Sequence, residues 1–316
     1  MNTNPTISKD RFEKIDKNVL FEGEKDYKSV SFSQDVWRRL KQHKPAMISI
    51  FILIFIVLMS LFAPLMNEHD AMTQIYTNSE GESNLKHTPT LTDNNWFGTD
   101  EFGRDMWTRT WEGARVSLLI GVIAASLDVV FGIVYGVIAG YFGGRADFLM
   151  MRFIEIIVSI PNIIIVVLLI LVLEPGITAI IIAIALTGWV GMARLVRGQV
   201  FSLKNREFIL AARSLGTKPA KMMSMHLIPN MVGPVLVNIS FTIPFAIFTE
   251  AFLSFIGLGV PVPYASLGSL ISDSRNFVTT YPFLLLIPAT ILTLIVTSFS
   301  IFGDGLRDAV DPKLRK

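Results

Sequence analysis

The 316-residue chain contains no cysteine. Disulfides, thiolate metal sites, cysteine nucleophiles and iron–sulfur clusters are therefore excluded. The four histidines, His43, His69, His87 and His226, are scattered and show no metal-ligand spacing. Charge is scarce, at 17% of residues, against about 25% in an ordinary soluble domain. Neither sign dominates: 28 Lys plus Arg against 26 Asp plus Glu give a net charge of +2, so the basic excess of a nucleic-acid binder is missing. Apolar residues make up 51% of the chain and the mean hydropathy is +0.52, which points to a membrane protein.

The charge-free runs locate the membrane. Residues 45–67 hold no charge, residues 116–144 only Asp128, and 156–173 and 175–193 none. Residues 222–272 are interrupted only by Glu250, and 276–303 are free again. At roughly 20 residues per crossing, this predicts an all-α polytopic membrane protein with six transmembrane helices, at about 47–66, 114–140, 149–173, 176–194, 231–257 and 282–303. The first apolar run begins too late for a cleavable signal peptide. Lys and Arg number ten in 1–46, three in 67–112 (Lys86, Arg104, Arg109, against nine acids), six in 195–230, one in 258–281 and four in 304–316. By the positive-inside rule, the N-terminal tail 1–46 and the C-terminal tail 304–316 are cytoplasmic and 67–112 is an external segment. The permease core then covers 113–303. In the N-terminal tail, Ser33 is a candidate cap for a short helix through Trp37, Arg38, Arg39, Leu40 and Lys41, either resting on the inner membrane surface or a solvated basic flank.

Gly132, Gly136 and Gly140 form a small-residue stripe that lets another helix approach closely, in this chain or in a second subunit. Pro161, Pro244 and Pro288 each remove a backbone donor inside an apolar run and predict kinks. Asp128 lies near mid-depth, where an ionised carboxylate costs roughly 2.5–3.5 kcal/mol. It is a pathway or interface residue, or a satisfied structural Asp. Gly98, Asp100, Gly103, Arg104 and Asp105 in the external segment read as a turn, with Trp107 and Trp111 as interfacial anchors. The acids lack calcium-loop spacing. No catalytic set and no metal site emerge.

The loop 195–230 is too organised for a passive connector. Phe208, Ala211, Ala212 and Leu215 share one helix face by their spacing. Arg213 lies elsewhere on the wheel, and Gly216 ends the helix. The apolar face suits a groove on another protein, or rests on the membrane or on the chain's own core.

The run Ala211-Ala212-Arg213-Ser214-Leu215-Gly216, followed by His226-Leu227-Ile228-Pro229-Asn230, resembles the EAA loop of ABC importer permeases. With Phe97 to Asp105, Gly140 to Gly144, Ala193 to Arg197, Glu250 to Gly259 and Gly303 to Pro312, the chain resembles the oligopeptide/dipeptide type of that family (OppC/DppC). Leu210 replaces the family's usual Glu, and Leu267 a frequent Trp. The resemblance implies the type I (MetI-like) importer permease fold in a cell membrane. It implies cytoplasmic coupling helices docking two ATPase subunits (OppD/OppF-like), a homologous permease partner (OppB/DppB-like), an extracellular receptor (OppA-like), and oligopeptide or dipeptide cargo. ATP and magnesium would be used by those partner ATPases and no cofactor bound by this chain, which carries no GxxxxGK[ST] phosphate-binding loop. The alternatives are a permease for nickel or another small solute, and a secondary carrier working through Asp128.

Overall fold

The computed structural model describes residues 31–74, 83, 85, 88–89 and 95–311. Most of the N-terminal tail, His87, Lys86 and the last five residues lie outside it. Five single helices are long and apolar enough to cross a membrane, and a sixth crossing is a bent pair. The protein is a multi-pass helical bundle, and no strand occurs among the described residues.

A short helix, α1 (Phe32–Gln42), leads in. Its N-cap is Ser31 rather than Ser33, because Ser33 already lies in the first turn. Leu40 packs against Ala46 and Ala309. His43 separates α1 from α2 (Lys44–Phe62), and its Nδ1 accepts from Ala46 N–H at the start of α2. The buried residues of α2 are Ala46, Ser49, Ile56 and Ser60, while Phe51, Phe55, Leu58 and Phe62 are exposed.

Helix α3 (Met106–Phe142) starts eight residues before the charge-free run suggested. Asp105 caps it, its side chain accepting from Thr108 N–H at 2.8 Å. The charged Arg109 that masked this start is itself buried. Gly143 and Gly144, both with positive φ, turn the chain into α4 (Gly144–Ser159). The expected helix 149–173 is two helices: α5 (Asn162–Leu173) leaves α4 at an angle of 80°. Pro161 stands at that break, where it can neither donate a backbone hydrogen bond nor let the preceding residue stay helical.

Helix α6 (Ile177–Leu203) runs nine residues past the expected end at 194. Its added turns carry Arg197, which forms a two-pronged ion pair with Asp147 of α4. Next come α7 (Glu207–Ser214), a wound segment over 219–230 with a π-helical stretch at Met222–Leu227, and α8 (Val232–Phe255). Last are α9 (Leu267–Ser274) and α10 (Phe283–Val310). Pro244 and Pro288 lie within continuous α8 and α10.

The glycine stripe of α3 packs inside this chain, against α6. A methyl at Gly132 would lie 3.0 Å from Trp189 O, one at Gly136 2.5 Å from Ala193 O, and one at Gly140 3.1 Å from Arg197 O. The matched positions increase together, so α3 and α6 run parallel. The two backbones touch, and dispersion and close packing hold them.

Candidate functional site

Four features concentrate chemistry: α7 at one end of the bundle, a polar cluster at the other, a buried cluster around Glu250, and Asp128.

Helix α7 is only eight residues long, too short to stand alone, and its tertiary contacts explain its stability. Ile209 is 1% exposed and Ala212 is buried, and both join Met222, Leu227, Val196 and Val200 in one apolar cluster. That cluster also holds Val137 and Val235, so α7 rests on the segment 222–227, which joins it to the ends of α3, α6 and α8 in one apolar cluster. Its end is closed by a Schellman motif: Thr217 N–H donates to Ala212 O at 3.1 Å and Gly216 N–H to Arg213 O at 2.9 Å, with Gly216 at φ +78°. Glu207 in its first turn and Arg213 in its last suit the helix dipole.

The outer face of α7 is apolar and open. Leu215 is 87% exposed, and Phe208, Leu210 and Ala211 are exposed too. The face expected from spacing therefore divides. Phe208, Ala211 and Leu215 look outward, while Ala212, 40° further round the wheel than Phe208 at 100° per residue, turns inward beside Ile209. Spacing alone did not bring out Ile209. Its burial is legible only from the apolar Met222 and Leu227 that fold back beneath it.

At the opposite end, Asp100 organises a turn. Its Oδ1 accepts from Phe102 N–H and Arg104 N–H, each at 2.9 Å, and its Oδ2 from Arg104 Nε at 2.7 Å. Gly98 and Gly103 hold φ of +75° and +74°, which glycine adopts at little steric cost. Arg109 is buried and lies 3.3 Å from Asp100. It also donates to Ala71 O at 3.1 Å, tying the segment after α2 to the start of α3. Asp105 accepts from Asn67 as well as Thr108. Burial pushes its carboxyl above the ordinary range, and the Thr108 bonds pull it back. Burial likewise raises Asp273, with Arg109 and Arg104 opposing. Trp107 donates to Ala63 O at 2.9 Å, and Trp111 is buried against Ala114 and Ile291. The expectation of two interfacial anchors is corrected: at Trp111 the neighbouring helices, not lipid headgroups, surround the ring.

A second cluster was not apparent from spacing. Glu250 of α8 is fully buried and accepts from Ser117 Oγ (3.0 Å), Ser254 Oγ (2.8 Å) and Ser266 Oγ (2.6 Å). Ser266 also caps α9. The carboxylate thus joins α3, α8 and α9. Only Ser254, four residues on, lies on the same helix face as Glu250. Asp128 is buried against Gly188 of α6, and among the described residues no hydrogen-bond partner reaches its Oδ1.

Residues 132–316 match the family described as "Binding-protein-dependent transport system inner membrane component". Residues 31–86 match the "N-terminal TM domain of oligopeptide transport permease C". The chain belongs to the binding-protein-dependent transport permeases. This permease is 44% identical over 310 residues to the oligopeptide transport system permease protein OppC of Bacillus subtilis, covering 98% of this chain and 99% of that protein. It is 46% identical over 289 residues to the dipeptide transport system permease protein DppC of the same organism, covering 91% and 88%. It is 38% identical to OppC of Escherichia coli strain K12, covering 90% and 92%. Its fold is shared with a chain of the MetNI methionine ABC transporter in inward-facing conformations. That likeness has a TM-score of 0.50 at 21% identity, and covers 65% of this chain and 97% of that one.

Proposed function

We propose that this permease forms half of the translocation pathway of an ATP-driven importer of oligopeptides or dipeptides, and that α7 is its docking helix for the ATPase subunits. The single observation that carries this reading is the division of α7 into two faces. Ile209 and Ala212 hold it on the segment 222–227, in the apolar cluster that includes the ends of three transmembrane helices, while Phe208, Ala211 and Leu215 offer an apolar ridge to a partner. A ridge of this kind, outside the membrane spans, marks an interaction surface. A displacement of α7 imposed by a partner passes through the segment 222–227 to the apolar cluster shared with α3, α6 and α8, because that cluster is close-packed and yields little.

Lys and Arg favour the α7 end as cytoplasmic, with both termini on that side. The opposite end, built on Asp100, Arg104, Asp105 and Arg109, then faces outward, toward a receptor that delivers peptide. A homologous permease completes the pathway. ATP and magnesium are used on the ATPase partners, and this chain carries out no reaction of its own. Coupling requires that the docked α7 favour one pathway conformation when the ATPases close. Cargo is assigned from the oligopeptide and dipeptide permeases that this chain resembles along nearly its whole length.

The test is uptake by the purified complex in proteoliposomes. Uptake of a short peptide is expected to need ATP and to persist when the proton gradient is collapsed. Uptake driven by the gradient without ATP would assign the work to a carrier using Asp128.

A further inference from the structure

The break between α4 and α5 leaves polar groups exposed halfway through the membrane. Thr187 lies ten residues after Ile177, the start of α6, so it sits roughly 15 Å along that helix at 1.5 Å per residue. That is about half of a ~30 Å hydrocarbon core. Thr187 Oγ1 donates to Asn162 Oδ1 at 2.6 Å. Asn162 is exposed, as is every residue from Val158 to Ile164. Nothing among the described residues accepts from the Asn162 amide nitrogen, and no side chain caps the start of α5. An open cleft of about 270 Å³ lies beside the break, lined by Ile157, Pro161, Asn162, Thr187, Val190 and Gly191.

Hydrocarbon does not tolerate this arrangement. Irregular backbone at membrane depth persists only where protein buries it or where it lines a water-filled cavity, and an unpaired amide in an apolar medium costs several kcal/mol. The exposed neighbours Val158, Ile160, Ile163 and Ile164 are apolar, so the polar pair is a discrete patch in a greasy wall. A carboxamide carries the same donor and acceptor as a peptide group. It can therefore pair with the main chain of any peptide, whatever its side chains. On the α6 side Gly191 presents no side chain and has open space before it, so an extended chain can approach closely.

We propose that the Pro161 break, with the Asn162–Thr187 pair, is a cargo subsite: a water-facing patch at mid-membrane that binds backbone amides of the peptide in transit. This rests on the peptide-permease reading above, and places the solute contact on the α4–α5–α6 side of the subunit.

The absence of native cysteine makes the test direct. Asn162→Cys and, as a lipid-facing control on α5, Leu168→Cys are each introduced into the assembled transporter. The vesicles are treated with a charged, membrane-impermeant thiol reagent, and modification is read as a mass shift of this chain. Only a wetted thiol ionises and reacts readily, so Asn162→Cys is expected to label about tenfold faster than Leu168→Cys. A saturating transported peptide is expected to slow that labelling. Thr187→Val, which removes the hydroxyl at nearly constant volume, is expected to raise the KM for peptide by about threefold to tenfold, the equivalent of one hydrogen bond, with maximal turnover retained. Equal slow labelling of both cysteines, cross-linking of Asn162→Cys to the second permease, or fast labelling that peptide leaves unchanged would overturn the proposal, as would an unaltered KM. Uptake by the unsubstituted complex is measured in the same vesicles. If ATP-driven peptide uptake is absent there, the peptide reading itself fails. If uptake is present and the cysteine is unprotected, only the subsite fails.

Discussion

Leu215→Asp combined with Ala211→Glu is expected to abolish ATP-driven peptide uptake while the chain still inserts and folds. Both side chains are exposed, and surface substitutions of this kind shift stability by only about 0.5 kcal/mol. The loss falls on the docked state. Burying a leucine side chain contributes roughly 1.5–3 kcal/mol, and a carboxylate without a partner in an interface costs about 2–5 kcal/mol more. Together these weaken docking on the order of a thousandfold. Ile209→Ala separates docking from support. It leaves the outer ridge in place but empties the contact with Met222 and Leu227, at about 2–5 kcal/mol, so α7 should loosen and the purified chain should show lower thermal stability. Uptake by cells with normal amounts of membrane-inserted chain is the readout. Wild-type uptake in the double variant would remove the docking role from α7.

Gly136→Leu is expected to produce the largest folding defect of any single change in the α3 stripe. Even the first carbon of a side chain would lie 2.5 Å from the backbone oxygen of Ala193 and 2.8 Å from Val196 Cβ. A backbone carbonyl inside a helix cannot rotate away, so α3 and α6 must separate along their whole contact. Overpacking typically costs about 1–3 kcal/mol, and here it acts on backbone against backbone. Gly136→Ala already carries the clash and should lower the Tm of the detergent-solubilised chain measurably. Gly198→Ala, on the same pair of helices, meets open space and should leave the Tm unchanged. Equal Tm values for the two alanine variants would contradict the parallel α3–α6 contact.

Much of this architecture was legible from where charge is missing, because the bilayer penalises charge and the chain obeys. Helix ends are less legible where charged residues fall inside a helix. Arg109 hid the first turns of α3, because a buried arginine held by Asp100 and a backbone carbonyl looks in sequence like a loop residue. At α6 the charge-free run stops at Arg194, which is exposed on the helix, and the last turns beyond it carry Arg197, paired with Asp147. Pro161 was readable as an irregularity, but an 80° corner and a gentle kink share one sequence signature; the packing of α5 on α6 decides between them. At α7 the periodicity was readable and the assignment of faces was not, since an eight-residue helix can bury either side and the choice belongs to residues 222–227. The Glu250 cluster draws Ser117 and Ser266 from 133 and 16 residues away, a pairing that spacing cannot express.

The most direct test of the central claim is photo-crosslinking in native membranes from a reactive probe at Leu215, with a second probe at Leu61, exposed on α2, as the lipid-facing reference. Capture of an ATPase subunit from Leu215, and of none from Leu61, is the predicted result. Capture of lipid alone from both positions would contradict the account.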